Sequence, residues 1–372
     1  MIIGVVGEIK PDEYRVGMQP SGVLQLTQAG HTVLVERKAG LGSGFSDATY
    51  QQAGGKLVDG AASIFAKADL IVKVKEPQHS ELEMIRPGQV LFTFFHFAAS
   101  ESMTRALMDK GCVAIAYEMV RNHGRRPLLA PMSVVAGRLA VQEAAHYMTR
   151  PHGGPGRLVG GVPGIAPARF TIIGGGVVGE QAARMAAGLG AQVTILDRNN
   201  QRLTQLTEMM SANVIAVRSD PESIREWVIQ SDVVISSVLI TGEKAPHLID
   251  RSMLREMKPG SMIVDVAIDQ GGSLETSRAT THSDPVYVEE GVIHYCVANM
   301  PGAVPETATR ALTNATMDYI QKLADLGWKA ACQQDRSLAL GLSLADGKVV
   351  SNAVARGFGW SAVDRDTVIN QP

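Results

Sequence analysis

The hydrophobic pattern alternates between two periods along the chain. Short apolar, β-branched runs at residues 2–6, 32–35, 70–75, 90–94 and 112–116 read as buried strands, and mixed segments at 20–29, 61–67 and 100–110 read as helices. That alternation predicts a parallel sheet covered by helices on both faces. After a Gly- and Pro-rich stretch at 150–167 the pattern restarts, with strands expected at 170–173, 193–196, 214–217, 233–236 and 262–266. The expected fold is therefore α/β, with two doubly wound, Rossmann-like domains.

A helix opening around Pro131, with Ser133 as its expected cap, suits a crossing from the first domain to the second. Prolines punctuate 301–305, and a long helical pattern over 307–326 suits the return. The expected layout is one domain, residues 129–305, inserted into another made of 1–128 and 306–372. Neither a fixed-period repeat nor a low-complexity segment interrupts this reading.

Charge and cysteine content narrow the function. The 372 residues carry 35 Lys+Arg against 37 Asp+Glu, a formal net charge of -2, so no basic stripe points to nucleic acid and no polybasic patch to a membrane. The three cysteines, Cys112, Cys296 and Cys332, are widely separated and make neither a disulfide framework nor a CxxC metal knuckle. The first apolar run lacks a basic leader and is followed by Gly7-Glu8, which suits a strand rather than a signal peptide. No stretch approaches the ~18 apolar residues of a membrane span. A cytoplasmic protein without membrane partners is expected.

The sharpest local signal is Gly174-Gly175-Gly176-Val177-Val178-Gly179, a GxGxxG that follows the strand at 170–173 and opens a helical pattern. Gly174 suits the tight turn, Gly176 the approach of a pyrophosphate, and Gly179 close packing of helix on strand. A second strand ends at Asp197, about 20 residues on, where an acid binds the ribose diol of a dinucleotide. Asp197 repels a 2′-phosphate and favours NAD over NADP, although Arg198 beside it softens that preference.

Other polar residues stand at strand ends, where open α/β sheets bind ligands. Asp269 follows an apolar strand and precedes Gly271-Gly272; the alternative is a loop acid capping a turn. Lys73 and Lys75 share a face of the 70–75 run, His96 sits among Phe94, Phe95 and Phe97, and Arg15 lies in the loop after the first strand. Taken alone, His96 reads as a satisfied core histidine and Arg15 as a solvated loop residue.

Together these segments resemble the alanine dehydrogenase family. The resemblance runs through Gly7-Glu8-Ile9-Lys10, Glu13-Tyr14-Arg15-Val16, Val72-Lys73-Val74-Lys75-Glu76-Pro77, Phe94-Phe95-His96-Phe97-Ala98-Ala99-Ser100, Leu129-Ala130-Pro131-Met132-Ser133, Ala267-Ile268-Asp269-Gln270-Gly271-Gly272 and Tyr295-Cys296-Val297-Ala298-Asn299-Met300-Pro301. It implies an NAD-dependent enzyme interconverting L-alanine and pyruvate plus ammonium, typically a homohexamer, with its cofactor domain inserted in its substrate domain. The implied catalytic residues are His96 and Asp269, and the implied substrate ligands are Arg15 and Lys75. For the cofactor, the resemblance adds Ser133, Val177, Val178, Arg202, Ser219, Val238, Leu239, Val266, Ala267, Ile268, Asp269, Arg278, Val297, Ala298, Asn299 and Met300 to Gly174, Gly176, Gly179 and Asp197.

One departure matters. Where some members carry a Glu and a His proposed as magnesium ligands, this chain has Lys322 and Leu326, so no such metal is expected. Two other readings compete: an imino-acid reductase or saccharopine-type dehydrogenase with a bulkier amino donor, and a nucleotide-binding component of transhydrogenase. The combined Arg15, Lys75, His96 and Asp269 set, with no membrane segment, favours the dehydrogenase.

Overall fold

Two sheets divide the chain, seen in a computed structural model that describes residues 1–238 and 246–371. Strands β1 (Ile2–Val5), β2 (Thr32–Glu36), β3 (Lys56–Val58), β4 (Leu70–Val72), β5 (Val90–Thr93) and β6 (Val113–Ala116) build the first. Strands β7 (Arg169–Ile173), β8 (Gln192–Asp197), β9 (Val214–Arg218), β10 (Val233–Ser236), β11 (Met262–Asp265), β12 (Val286–Glu289) and β13 (Val292–Tyr295) build the second. The chain then returns to the first sheet with β14 (Leu342–Ala345) and β15 (Lys348–Val349). Accordingly one compact unit comprises Met1–Met132 and Gly302–Pro372, and Ser133–Pro301 forms another that interrupts it.

Both sheets follow one plan. The first is ordered β15-β14-β6-β5-β4-β1-β2-β3, parallel except for β14 and β15. The second is ordered β12-β13-β11-β10-β7-β8-β9, parallel except for the β12 hairpin arm. Read from β3 or from β9, each has the 3-2-1-4-5-6 order of a Rossmann fold, with its chain reversal between β1 and β4 or between β7 and β10. The central strands are apolar on both faces because helices cover both sides: β4, β5, β6, β10 and β11 are buried throughout.

Two expectations need correction. The strand expected over 70–75 stops at Val72, because the amides of Val74 and Lys75 donate to the Glu8 carboxylate (2.6 and 3.3 Å) instead of to a neighbouring strand. Ser133 is not a cap: the helix already runs from Ala130 to Tyr147. Pro131 fits its first turn, where an N–H is not needed. The returning helix opens at Pro305 and is broken at Gly327 (φ 74°, ψ 160°), next to the end expected for it, before helix resumes to Gln334.

Candidate functional site

In the first unit, three neighbouring strand ends, those of β1, β4 and β5, carry the candidate residues. The loop after β1 is pinched by a bridge between Gly7 and Val16, and a Cβ on Gly17 would lie 2.6 Å from the Val72 carbonyl oxygen. This close approach seats Arg15 in the interior, only 3% exposed, rather than in solvent. Its Nε and Nη2 donate to Glu13 at 2.7 and 2.5 Å, and Nη1 lies 3.1 Å from Met132 Sδ. Glu13 thus fixes the plane of the guanidinium by a two-point grip.

Beyond β4, Lys75 is buried, and its carbonyl accepts from Thr93 Oγ1 at 2.8 Å. Lys73 serves structure instead. Its ammonium is buried between Glu81 (2.7 Å) and Glu8 (3.2 Å), both carboxylates being equally enclosed. Burial works against the Lys73 charge, but the two acids outweigh it and raise its pKa above the ordinary value. Burial pushes the Glu8 carboxyl up despite Lys73 and the Val74 amide. The cluster ties the β1 exit to the β4 exit and so places Lys75.

His96 lies past β5, 45% exposed on its side chain, so the core reading does not hold. Its backbone is left-handed (φ 49°), a conformation sparsely populated by residues with a Cβ. The amides of Phe95 and His96 donate to Glu118 (3.1 and 2.7 Å), and the imidazole stacks on Phe94. The ring's Nδ1 is 3.4 Å from Glu76 Oε2, while Glu76 Oε1 accepts from Lys10 Nζ at 2.5 Å. Burial would raise the Glu76 carboxyl, yet His96 and Lys10 overcome it and hold it well below the usual carboxylate range.

In the second unit the Gly-rich turn follows β7 and opens the helix Val177–Gly188. Gly174 is left-handed (φ 103°), and a Cβ on Gly179 would stand 1.8 Å from the Gly174 carbonyl oxygen, so no larger residue fits there. Space opens beside Gly176, the helix N-cap, whose amide end has no side-chain cap. An uncapped helix N-terminus beside an open Cα is a cradle for a pyrophosphate, and the residues present fit a dinucleotide. Asp197 ends β8 and accepts from the Gly175 and Asn199 amides at 2.7 and 2.8 Å. Arg202 donates to the Gly175 carbonyl (2.6 Å) and to Glu180 (2.5 Å), bracing the turn from outside, and the Ser219 amide donates to the Asp197 carbonyl.

The remaining expected residues gather less evenly. Val177 is exposed, Val178 and Ser133 are half-buried, and Val238 packs partly into the core; Leu239 lies outside the described residues. Val266 is half-buried, Ala267 and Ile268 are buried, and Asp269 is exposed on the turn Ile268–Gln270, accepting from the Asn299 amide at 3.3 Å. Val297 and Met300 are buried, Ala298 is tied to Thr280, and Arg278 lies over the Tyr287 ring at 3.8 Å. Lys322 pairs with Asp335 at 2.5 Å, and Leu326 is exposed.

Sequence reasoning missed Glu8, Glu13, Glu76, Glu118 and Asp265. Asp265 is fully buried and accepts from the Ala267 and Ser273 amides and the Ser273 and Ser277 hydroxyls, shaping the loop that presents Asp269. It also missed Gly137, where a Cβ would stand 2.3 Å from the Val178 carbonyl oxygen.

The chain is similar to known proteins along its length. Residues 4–136 match the alanine dehydrogenase/PNT N-terminal domain, and 140–352 the alanine dehydrogenase/PNT C-terminal domain. The chain is 52% identical over 370 residues to an alanine dehydrogenase of Halomonas elongata, covering 99% of this chain and 100% of that one. It is 49% identical over 357 residues to an alanine dehydrogenase of Mycolicibacterium smegmatis, covering 96% of each. Among solved structures, an L-alanine dehydrogenase superposes with a TM-score of 0.93 at 47% identity, covering 96% of this chain and 99% of that one. A transhydrogenase from Sinorhizobium meliloti reaches 0.81 at 26% identity, covering 95% and 100%. With both domain types matched in order along two sheets of one plan, the chain belongs to the alanine dehydrogenase/PNT family.

Proposed function

We propose that this chain converts L-alanine, water and NAD to pyruvate, ammonium, NADH and a proton, and runs the reverse amination. The observation that carries the proposal is a buried, clamped arginine and an exposed histidine on the exits of the same eight-stranded sheet, in a chain about half identical to proteins named alanine dehydrogenase. Arg15 holds the substrate carboxylate through its planar fork. Lys75 donates to the carboxylate or the keto oxygen and so fixes the α-carbon.

Gly174, Gly176, Gly179 and Asp197 would hold NAD, which supplies the hydride-accepting chemistry when bound. The carboxylate at Asp197, aimed at the turn, favours a ribose diol over a 2′-phosphate. His96 takes the proton as water adds to the iminium carbon and returns one to the carbonyl oxygen in amination. Asp269 accepts from the water or ammonia that adds and leaves. We assign the enzyme to small-molecule substrates and to the cytoplasm, as a homohexamer that sedimentation would show.

The test is NADH oxidation with pyruvate plus ammonium, set against pyruvate plus a bulky amine. Turnover with ammonium and its loss by ~10²–10⁴-fold in His96→Ala, with NADH binding kept, is the expected result. Turnover only with the bulky amine overturns the proposal.

A further inference from the structure

The proposed mechanism gives no task to Glu76, a half-buried carboxylate beside His96. Glu76 Oε2 is enclosed and makes no hydrogen bond, yet it is 3.4 Å from His96 Nδ1 in ion-pair contact. Its twin oxygen is fully engaged by Lys10. A carboxylate oxygen stripped of water and aimed at an imidazole is costly unless that ring supplies a proton. Such contacts are often long without substrate and tighten when it binds.

We infer that Glu76 is the positioning residue for His96, holding Nδ1–H so that Nε2 faces substrate, with Lys10 setting how strongly the carboxylate pulls. The inference rests on the reading of His96 as the acid/base. The backbone around the ring agrees with it. Glu118 anchors the Phe95 and His96 amides, the left-handed turn aims the side chain, and Phe94 supports one ring face, leaving the ring flip that exchanges Nδ1 with Cδ2, and the tautomer, for Glu76 to settle. Three charged groups face His96 from the elements around it: Glu76 after β4, Lys10 after β1 and Glu118 after β6. Glu118 accepts from backbone amides, so Glu76 is the carboxylate paired with the ring. In amination the imidazolium gives its Nε2 proton to the carbonyl oxygen, and the Nδ1 proton stays where it is. Glu76 therefore acts through the ring and transfers nothing.

The opposite charges of Glu76 and Lys10 give the test its sign. Removing the anion makes His96 protonation less favourable, whereas removing the cation makes it more so. In the full-length enzyme, the pH profile of His96 carbethoxylation by diethyl pyrocarbonate, read by peptide mass spectrometry, follows the neutral ring whether or not it is catalytic. Relative to the unaltered chain, Glu76→Gln is expected to move the midpoint down by about one unit, and Lys10→Met to move it up by a smaller step. The acid limb of kcat/KM for pyruvate should move with each. An unmoved midpoint in Glu76→Gln, or shifts of the same sign in both variants, overturns the inference. Opposite shifts in modification that kcat/KM does not follow would uphold the Glu76–His96 pairing and overturn the acid/base reading.

Discussion

The two units solve the same geometrical problem with different materials. Each has a Rossmann strand order, and in each an acid ending the second strand accepts from a glycine amide in the first turn: Glu36 from Gly7 and Asp197 from Gly175, both at 2.7 Å. In the second unit the turn then enters its helix at once; the missing side chains at Gly174 and Gly179 let it close tightly, and the one at Gly176 leaves open space. In the first, the loop runs on to the helix Pro20–Gln28 and is filled with charge: Glu8 with Lys73, Glu13 with Arg15, and Lys10 with Glu76. One exit is shaped by missing atoms and the other by ion pairs. The glycine-lined exit of the second unit suits a large anion bound by backbone; the charged exit of the first suits a small anion gripped by side chains.

That contrast predicts where each exit breaks. The largest effect should come from Lys73→Met, which leaves Glu8 and Glu81 buried without their cation. A loss of about 3–5 kcal/mol is expected in denaturant unfolding, because an uncompensated buried charge is left behind. A loss below about 1 kcal/mol would mean that the charge network does not hold the first exit.

Next comes Gly179→Ala, which forces a methyl against the Gly174 carbonyl. It should cost about 1–3 kcal/mol in stability and weaken NADH binding in a fluorescence titration. Unchanged affinity would refute the steric account of the second exit. Arg15→Lys keeps the charge but loses the fork. It is expected to raise the pyruvate KM by about tenfold, a bidentate bond's share, and to leave NADH affinity intact; a parallel loss of NADH affinity would blur the division of labour between the exits.

The smallest effect concerns pH. The Glu76 carboxyl is held below its unfolded value, so its contribution to stability is complete above the ordinary glutamate range and is lost as pH falls through the folded value. Glu76→Gln should therefore flatten the acid side of the melting-temperature profile. An identical acid limb in both proteins would show that the pair contributes nothing to the fold.

How far the sequence could be read follows from how local each feature is. The nucleotide turn is contiguous: strand, glycines, helix, second strand and Asp197 occupy one short segment, and Gly174 and Gly179 answer to steric demands nearby. The first site is not. Glu8 reaches the Val74 amide across 66 residues, and that contact ends β4 three residues before the apolar run does. His96 shows the same dependence. Its aromatic neighbours made it look like a core residue, and the left-handed backbone at its own position, anchored by Glu118, turns it outward.

The sequence by itself determined the two parallel sheets, the insertion of one unit into the other, and the glycine cradle, because hydrophobic period and steric exclusion act over a few residues. Only the tertiary structure decided which charges meet. Arg15 is buried because Glu13 grips it, Lys73 belongs to the framework, and Glu76 faces His96. The physical reason is that a charge is stable in an interior only beside its partner, and folding decides that pairing, whether the partner is two residues away, as Glu13 is from Arg15, or on another strand's exit, as Glu8 is from Lys73.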